Sequence, residues 1–214
     1  MLLSIIRQNQ KLAAKRNPAF DRNRFAKFLI YFMVAFWAAY LIFIGVMLSF
    51  AFEDIFPSME PYHIMNQGLI YLLILDFLLR FMLQPAMSQE IKPYLLMPIK
   101  KNKLVDTLLL QSGISSYNFF WFFLIVPFAL LTIIRFYGFT GILCYLCGIW
   151  LLMAMNSYWY LICKTLLNEK LLYILLPIGV YGLLAGTEFI PEGNPVSTFM
   201  MNLGEGFIEG NILA

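Results

Sequence analysis

The chain has 214 residues, of which 61% are hydrophobic and 17% aromatic, while only 13% are charged. A water-soluble domain of this size must cover its exterior with polar side chains, so this composition excludes an ordinary soluble fold and indicates that lipid is the solvent. The net charge of +3 does not indicate a nucleic-acid partner, because most Lys and Arg residues are clustered beside apolar runs, as membrane topology requires.

The N-terminal segment, residues 1–27, mixes apolar side chains with a basic cluster and is interrupted by Pro18. Two interpretations of it remain open. Residues 17–27 lie as a helix along the inner headgroups, with their aromatic side chains in the interface, or the segment is a solvated basic tail that only sets topology. The apolar run that follows is longer than the core of a typical signal peptide, so we interpret it as an uncleaved span.

Long apolar runs predict an all-α fold, a polytopic transmembrane helix bundle over residues 28–190. About 20 apolar residues are needed to cross the hydrocarbon core, and about five apolar runs of the chain come close to or exceed that length. We therefore expect about five spans. Their ranges are 28–52, 64–83, 108–134, 139–163 and a shorter, Gly-rich 171–190.

The distribution of Lys and Arg predicts the orientation of the bundle. Bases are concentrated before the first span, in the connection 84–107 and just after the fourth span, whereas the alternate connections are acidic apart from Arg135. By the positive-inside rule the N-terminus and the connection 84–107 are cytoplasmic, in a multi-pass protein of the inner (plasma) membrane. Aromatic residues of 117–123 and 158–160 lie near the predicted cytoplasmic boundaries, where we expect them at headgroup level.

Residues 191–214 are apolar but carry three glycines besides Gly193, together with Glu205 and Glu209. This composition is too polar for a span, and Asn194-Pro195 predicts the start of a short helix. We expect a re-entrant or interfacial helix on the extracytoplasmic side. Since no sixth span follows, we expect the chain to be the N-terminal part of a longer protein or to pair with another chain.

Two ionisable residues, Asp76 and Arg80, lie four positions apart in the second span and therefore share one helix face. Charges within a span are functional candidates because burying them is costly. Arg80 falls near the predicted cytoplasmic end, where it can extend to the interface, so the pair is either a structural anchor or part of a gate. Other polar residues within predicted spans, which we expect to tie helices together, include Asn118, Asn156 and Ser157.

The cytoplasmic connection 84–107 has an apolar core, residues 94–97, between Pro93 and Pro98, and a basic turn follows it. An apolar patch in a cytoplasmic loop either lies against the membrane or is covered by a partner. On composition alone, a simple interfacial loop and a docking segment are both open.

Residues 89–110, Q-E-I-K-P-Y-L-L-M-P-I-K-K-N-K-L-V-D-T-L-L-L, resemble the permeases of type-2 ABC exporters. In that family a Glu-containing segment leads into Leu-Leu, a small residue, Pro, a basic turn and the third span. The matching positions are Glu90, Leu95, Leu96, Pro98, Lys100, Lys101 and Leu104. The chain departs from the pattern at Met97, where the family has a small residue, and at Pro93, where it more often has a helix former.

The resemblance implies that residues 89–103 form a coupling helix that docks on a separate cytoplasmic ABC ATPase subunit. A short helix joined to two spans can carry closure of the ATPases into the bundle. It further implies a homo- or heterodimer of permease chains in the lipid bilayer. The residues expected to contact the ATPase are Glu90, Tyr94, Leu95, Leu96, Pro98, Lys100 and Lys101.

The expected function is therefore the non-catalytic permease component of an ABC-type exporter. A phosphate-binding Walker motif is absent, and His63 has no nucleophile at a recognisable spacing, so we expect no enzyme activity, no cofactor and no metal in this chain. One alternative is a secondary transporter that uses Asp76 as an ion site, for which inverted repeats are diagnostic. Another is a membrane assembly protein or a membrane-embedded enzyme without transport activity.

Overall fold

The computed structural model is all-helical over the residues that it describes, with 91% of them in helices. It describes residues 24–84, 101–187 and 194–210, together with the isolated positions Gln8 and Leu12. Within this part of the chain the α-helices are α1 (Arg24–Ile55), α2 (Pro61–Gln67), α3 (Leu69–Leu83), α4 (Lys101–Gly113), α5 (Ser116–Phe120), α6 (Phe122–Leu131), α7 (Ile133–Glu169), α8 (Leu175–Gly186) and α9 (Pro195–Glu209). A 3₁₀ turn, Leu171–Ile174, precedes α8.

Two helices are long and apolar enough to cross a membrane, Lys27–Ile55 within α1 and the whole of α7. Two bent pairs pass the same test, α2 with α3 at 46° and Asn102–Phe120 with α6 at 60°, which gives two to four candidate spans. This number indicates membrane association. The predicted span 171–190 falls on the 3₁₀ turn and α8, which together are shorter than the roughly 20 residues a span requires, so the count of five remains a prediction.

The predicted third span, 108–134, is divided in the structure into α4, α5 and α6. The side chain of Ser115 accepts a hydrogen bond from the amide of Tyr117 and caps the start of α5. Pro127 removes a backbone donor within α6. The predicted fourth span lies within α7, which is kinked where Gly138 adopts a positive φ of 63°.

Helix α7 is the centre of the bundle and packs against α3, α4, α5, α6 and α9. The largest core cluster lies along it and includes Phe128, Ile149 and the fully buried Tyr145. Helix α1 packs against α6 and crosses it at Gly45, where a Cβ would lie 2.2 Å from the carbonyl oxygen of Leu124. Small residues at such crossings let two helices approach closely in lipid.

The predicted helix start at Asn194-Pro195 is confirmed. The side-chain oxygen of Asn194 accepts hydrogen bonds from the amides of Val196 at 3.0 Å and Ser197 at 3.2 Å, and Pro195 occupies the first turn of α9. These bonds satisfy donors that a helix N-terminus leaves free. Helix α9 packs against α2 and α7, so its position is determined by contacts within the bundle.

Candidate functional site around Asp76 and Arg80

Asp76 and Arg80 form an ion pair that is buried inside the helix bundle. The distance from Arg80 Nε to Asp76 Oδ2 is 2.7 Å, and the two side chains are 1% and 4% exposed. The sequence allowed Arg80 to extend to the interface, but in the structure its side chain is buried in the bundle. Charges at this depth are retained only when they are paired and hydrogen-bonded.

The carboxylate of Asp76 accepts two further hydrogen bonds, from residues far along the chain. Trp121 Nε1, between α5 and α6, donates to Oδ1 at 2.8 Å, and Asn156 Nδ2 of α7 donates to Oδ2 at 2.8 Å. Both oxygens are thus occupied. Trp121 is 4% exposed, so its indole is packed inside the protein, and its position at headgroup level stays a prediction.

The guanidinium of Arg80 connects α3 to the end of α4. Its Nη2 donates to Asn118 Oδ1 at 2.6 Å. Asn118 Nδ2 in turn donates to the carbonyl oxygens of Ser112 at 3.2 Å and Gly113 at 2.5 Å, which are among the last carbonyls of α4 and have no partner within the helix. Asn118 therefore couples Arg80 directly to the C-terminus of α4.

Helix α8 reaches the same cluster through one side chain. Tyr181 Oη donates to Asn156 Oδ1 at 2.9 Å, and the Tyr181 ring lies 4.9 Å from the ring of Phe77. Asn156 thus joins α8 to Asp76, since its amide nitrogen is bound to the carboxylate. The hydroxyls of Ser112 and Ser157, 2.8 Å apart, add a link between α4 and α7.

The C-terminus of α3 is held by two residues of α7. The carbonyl oxygen of Gln84 accepts hydrogen bonds from Tyr160 Oη and Lys164 Nζ, both at 2.6 Å, and Lys164 Nζ also donates to the carbonyl of Phe81 at 2.8 Å. A cation at a helix C-terminus is favourable because free carbonyls and the helix dipole concentrate negative charge there. Tyr160 is fully buried within the bundle, and its position at headgroup level stays a prediction.

A second polar contact lies between α2 and α9. His63 Nδ1 is 2.6 Å from Glu205 Oε1, while His63 Nε2 is 3.7 Å from Glu60 Oε2. Nearby, Tyr145 Oη donates to Asn66 Oδ1 at 2.9 Å. Glu60 lies three residues before His63 in the sequence, whereas no local pattern could have located Glu205, which is on another helix.

The sequence profile of DUF5687, described as a family of unknown function, matches residues 10–214. The chain belongs to this family. No curated protein and no solved structure matches it. The match to DUF5687 spans both the buried cluster around Asp76 and the connection 84–107.

The residues predicted to contact an ATPase in this DUF5687 protein lie between α3 and α4. Most fall outside the described residues, and Lys101 marks the start of α4 with only its backbone described. Those outside are Glu90, Tyr94, Leu95, Leu96, Pro98 and Lys100. What the structure describes is how the two helices that flank this segment are anchored.

Proposed function

We propose that this DUF5687 protein is the membrane permease component of an ABC-type exporter, a non-catalytic inner-membrane bundle that couples ATP hydrolysis by a separate cytoplasmic ATPase to export. One observation carries the proposal. Both helices that flank the segment 85–100 are tied to the same buried cluster, α3 through Arg80 and α4 through Asn118. A segment whose two ends share one anchor is suited to transmit movement into a bundle.

The anchoring contacts favour joint movement of α3 and α4. The bond from Arg80 to Asn118 and the bond between Ser112 and Ser157 resist sliding of α4 along α3 and α7. Lys164 and Tyr160 hold the end of α3 on α7. A load applied between α3 and α4 by closure of two ATPases would thus be transmitted as a hinge or rigid-body motion rather than absorbed locally.

The alternative of a secondary transporter has less support from the cluster. Asp76 already accepts hydrogen bonds from Arg80, Trp121 and Asn156, and the guanidinium compensates its charge. An exchangeable cation or proton at Asp76 would first have to break a buried ion pair, which is costly. The arrangement therefore favours a tie between helices over an ion site.

The proposal is tested by affinity purification of the tagged protein from cross-linked native membranes, with the bound subunits identified by mass spectrometry. We expect an ABC ATPase subunit to be recovered. Lys100→Glu and Lys101→Glu, each combined with Leu95→Ala, should lower that recovery about tenfold, the factor that corresponds to roughly 1.4 kcal/mol of binding.

The matched control is Arg135→Glu, which makes the same charge change at an exposed base in the connection predicted to be extracytoplasmic. It should leave recovery unchanged. The proposal is contradicted if no ABC ATPase accompanies the wild-type protein, or if the Lys100 and Lys101 variants recover as much of it as Arg135→Glu does.

A further inference from the structure

Arg80 presents a buried hydrogen-bond donor with a defined orientation. Its Nε is bound to Asp76 and its Nη2 to Asn118, so the plane of the guanidinium is held from two sides. Its Nη1 is buried and has no hydrogen-bond partner in the described part of the chain. An unpaired charged donor away from water is unfavourable, so the position is suited to an acceptor oxygen from outside the protein.

The charges around Arg80 favour an anionic acceptor over a neutral one. The buried or half-buried charged side chains of α3 and α7 are Asp76, Arg80 and Lys164, two cations and one anion. Helices α5, α6 and α8 contain no charged residue, and Lys103 and Asp106 of α4, which also packs here, are exposed. Among the described buried side chains of these helices, one positive charge therefore has no carboxylate to balance it, and one bound anion would balance it.

Tyr117 covers the guanidinium at the edge of the cluster. The Tyr117 ring centroid lies 6.0 Å from Arg80 Cζ, and this residue is 37% exposed. A side chain that contacts both a buried cation and the exterior can uncover that cation by rotating about its own χ angles, which needs no movement of a helix. The Tyr117 ring thus lies over the guanidinium, where its rotation would uncover the cation.

We propose that Arg80 Nη1, beneath Tyr117, binds an oxygen of a phosphate group, supplied by an anionic lipid headgroup or by free phosphate. Arginine N–H groups form charge-assisted hydrogen bonds with phosphate oxygens, and the fixed guanidinium loses little freedom on binding. This site requires no ATPase, so it goes beyond the proposed export function. If the phosphate site at Arg80 is disproved, the proposed export function can still be tested, and the reverse also holds.

The test uses the full chain purified in a neutral detergent, with Trp121 as the reporter because its indole is bound to Asp76, the partner of Arg80. Inorganic phosphate is titrated against chloride at equal ionic strength, and phosphatidylglycerol is titrated against phosphatidylcholine in mixed micelles. We expect a saturable change in fluorescence, absent in Trp121→Phe, together with a raised melting temperature. A response to phosphate and phosphatidylglycerol identifies a general phosphate site, and a response to phosphatidylglycerol alone identifies a lipid site.

Arg80→Lys keeps the charge but lacks Nη1, and it should weaken binding at least about tenfold. Because that variant can fail to fold, Tyr117→Leu provides a second test. Removing the ring removes a competing cation–π contact and should tighten binding about two- to fivefold. The control is Tyr137→Leu, since Tyr137 is also 37% exposed but packs on Tyr62.

The inference is overturned if neither phosphate nor phosphatidylglycerol gives a response beyond its chloride or phosphatidylcholine control. It is equally overturned if a folded Arg80→Lys protein binds as the wild type does, or if Tyr117→Leu and Tyr137→Leu have the same effect on affinity.

Discussion

The indole nitrogen of Trp121 donates a 2.8 Å hydrogen bond to Oδ1 of Asp76, and this contact joins the junction of α5 and α6 to the middle of α3. The other carboxylate oxygen, Oδ2, is shared between Arg80 and Asn156. Three segments that are distant in sequence therefore depend on one side chain. Polar contacts of this kind are a main means of fixing helices against one another in lipid, where apolar contact alone gives little preference.

Replacing Trp121 by Phe should lower stability by about 1–3 kcal/mol, because Asp76 Oδ1 loses a donor and the smaller phenyl ring leaves part of the indole space unfilled. The measurement is thermal unfolding in detergent, monitored as the loss of the monodisperse peak in size-exclusion chromatography. Trp37→Phe is the matched control, since Trp37 is 47% exposed on α1. Equal melting temperatures for the two variants would show that the bond to Asp76 contributes nothing.

Breaking the buried ion pair from one side should be more harmful than removing it altogether. Arg80→Gln leaves the Asp76 charge buried without its cation and should cost about 3–5 kcal/mol, whereas Asp76→Asn with Arg80→Gln should recover part of that loss. The comparison pair is Glu53 and Arg135, 2.8 Å apart but exposed, for which Glu53→Gln with Arg135→Gln should change stability by about 0–1 kcal/mol. Melting temperatures of all these variants decide the question, and a double Asp76/Arg80 variant no more stable than Arg80→Gln alone would contradict it.

Tyr181 should hold α8 over the buried thiol of Cys163. Tyr181, Leu176 and Phe77 pack in one cluster with Cys163, which is 2% exposed. In a chain whose other two cysteines are replaced by Ala, Tyr181→Ala should speed the reaction of Cys163 with an apolar maleimide, because both the ring contact and the bond to Asn156 are lost. Tyr173→Ala, on the adjacent 3₁₀ turn, should react at the wild-type rate, and similar rates for both variants would argue against this role of Tyr181.

Helix α9 should be sensitive to a single methyl group at Gly148. A Cβ on this residue would lie 2.2 Å from Phe207 Cγ, so Gly148→Ala should cost about 1–3 kcal/mol through overpacking. Phe207→Leu should restore part of the loss in the double variant. Gly182→Ala serves as the control, since nothing lies within 4 Å of its Cβ position. The readout is cleavage of α9 by limited proteolysis, and a double variant cleaved as fast as Gly148→Ala would refute the direct contact.

The orientation inferred from the basic residues predicts opposite labelling of two exposed positions, Lys103 and Arg135. In a chain without its native cysteines, Arg135→Cys should react with a membrane-impermeant maleimide on intact spheroplasts. Lys103→Cys should react only after the membrane is permeabilised. The reverse pattern would show that the bundle is inserted the other way, and labelling of both would exclude a membrane between them.

Local patterns predicted those parts of the fold that depend on neighbouring residues. Apolar length located the helices now seen as α1 and α7, and Asn194-Pro195 located the start of α9. The breaks that divide 108–134 into three helices were not predicted, because an apolar run conceals short caps such as Ser115. The hydrogen-bond partners of Trp121 and Tyr160 were not predicted either, because they lie on other helices.

For the candidate site, the sequence by itself determined that Asp76 and Arg80 share a helix face, because a spacing of four residues is a local property of the α-helix. Only the tertiary structure decided that the pair is buried and that Trp121, Asn118 and Asn156 complete it. Those donors come from helices whose mutual position depends on packing between residues distant in the chain. The same packing leaves Arg80 Nη1 without a partner among the described residues and sets the guanidinium beside Tyr117, and no periodicity in the sequence records this arrangement.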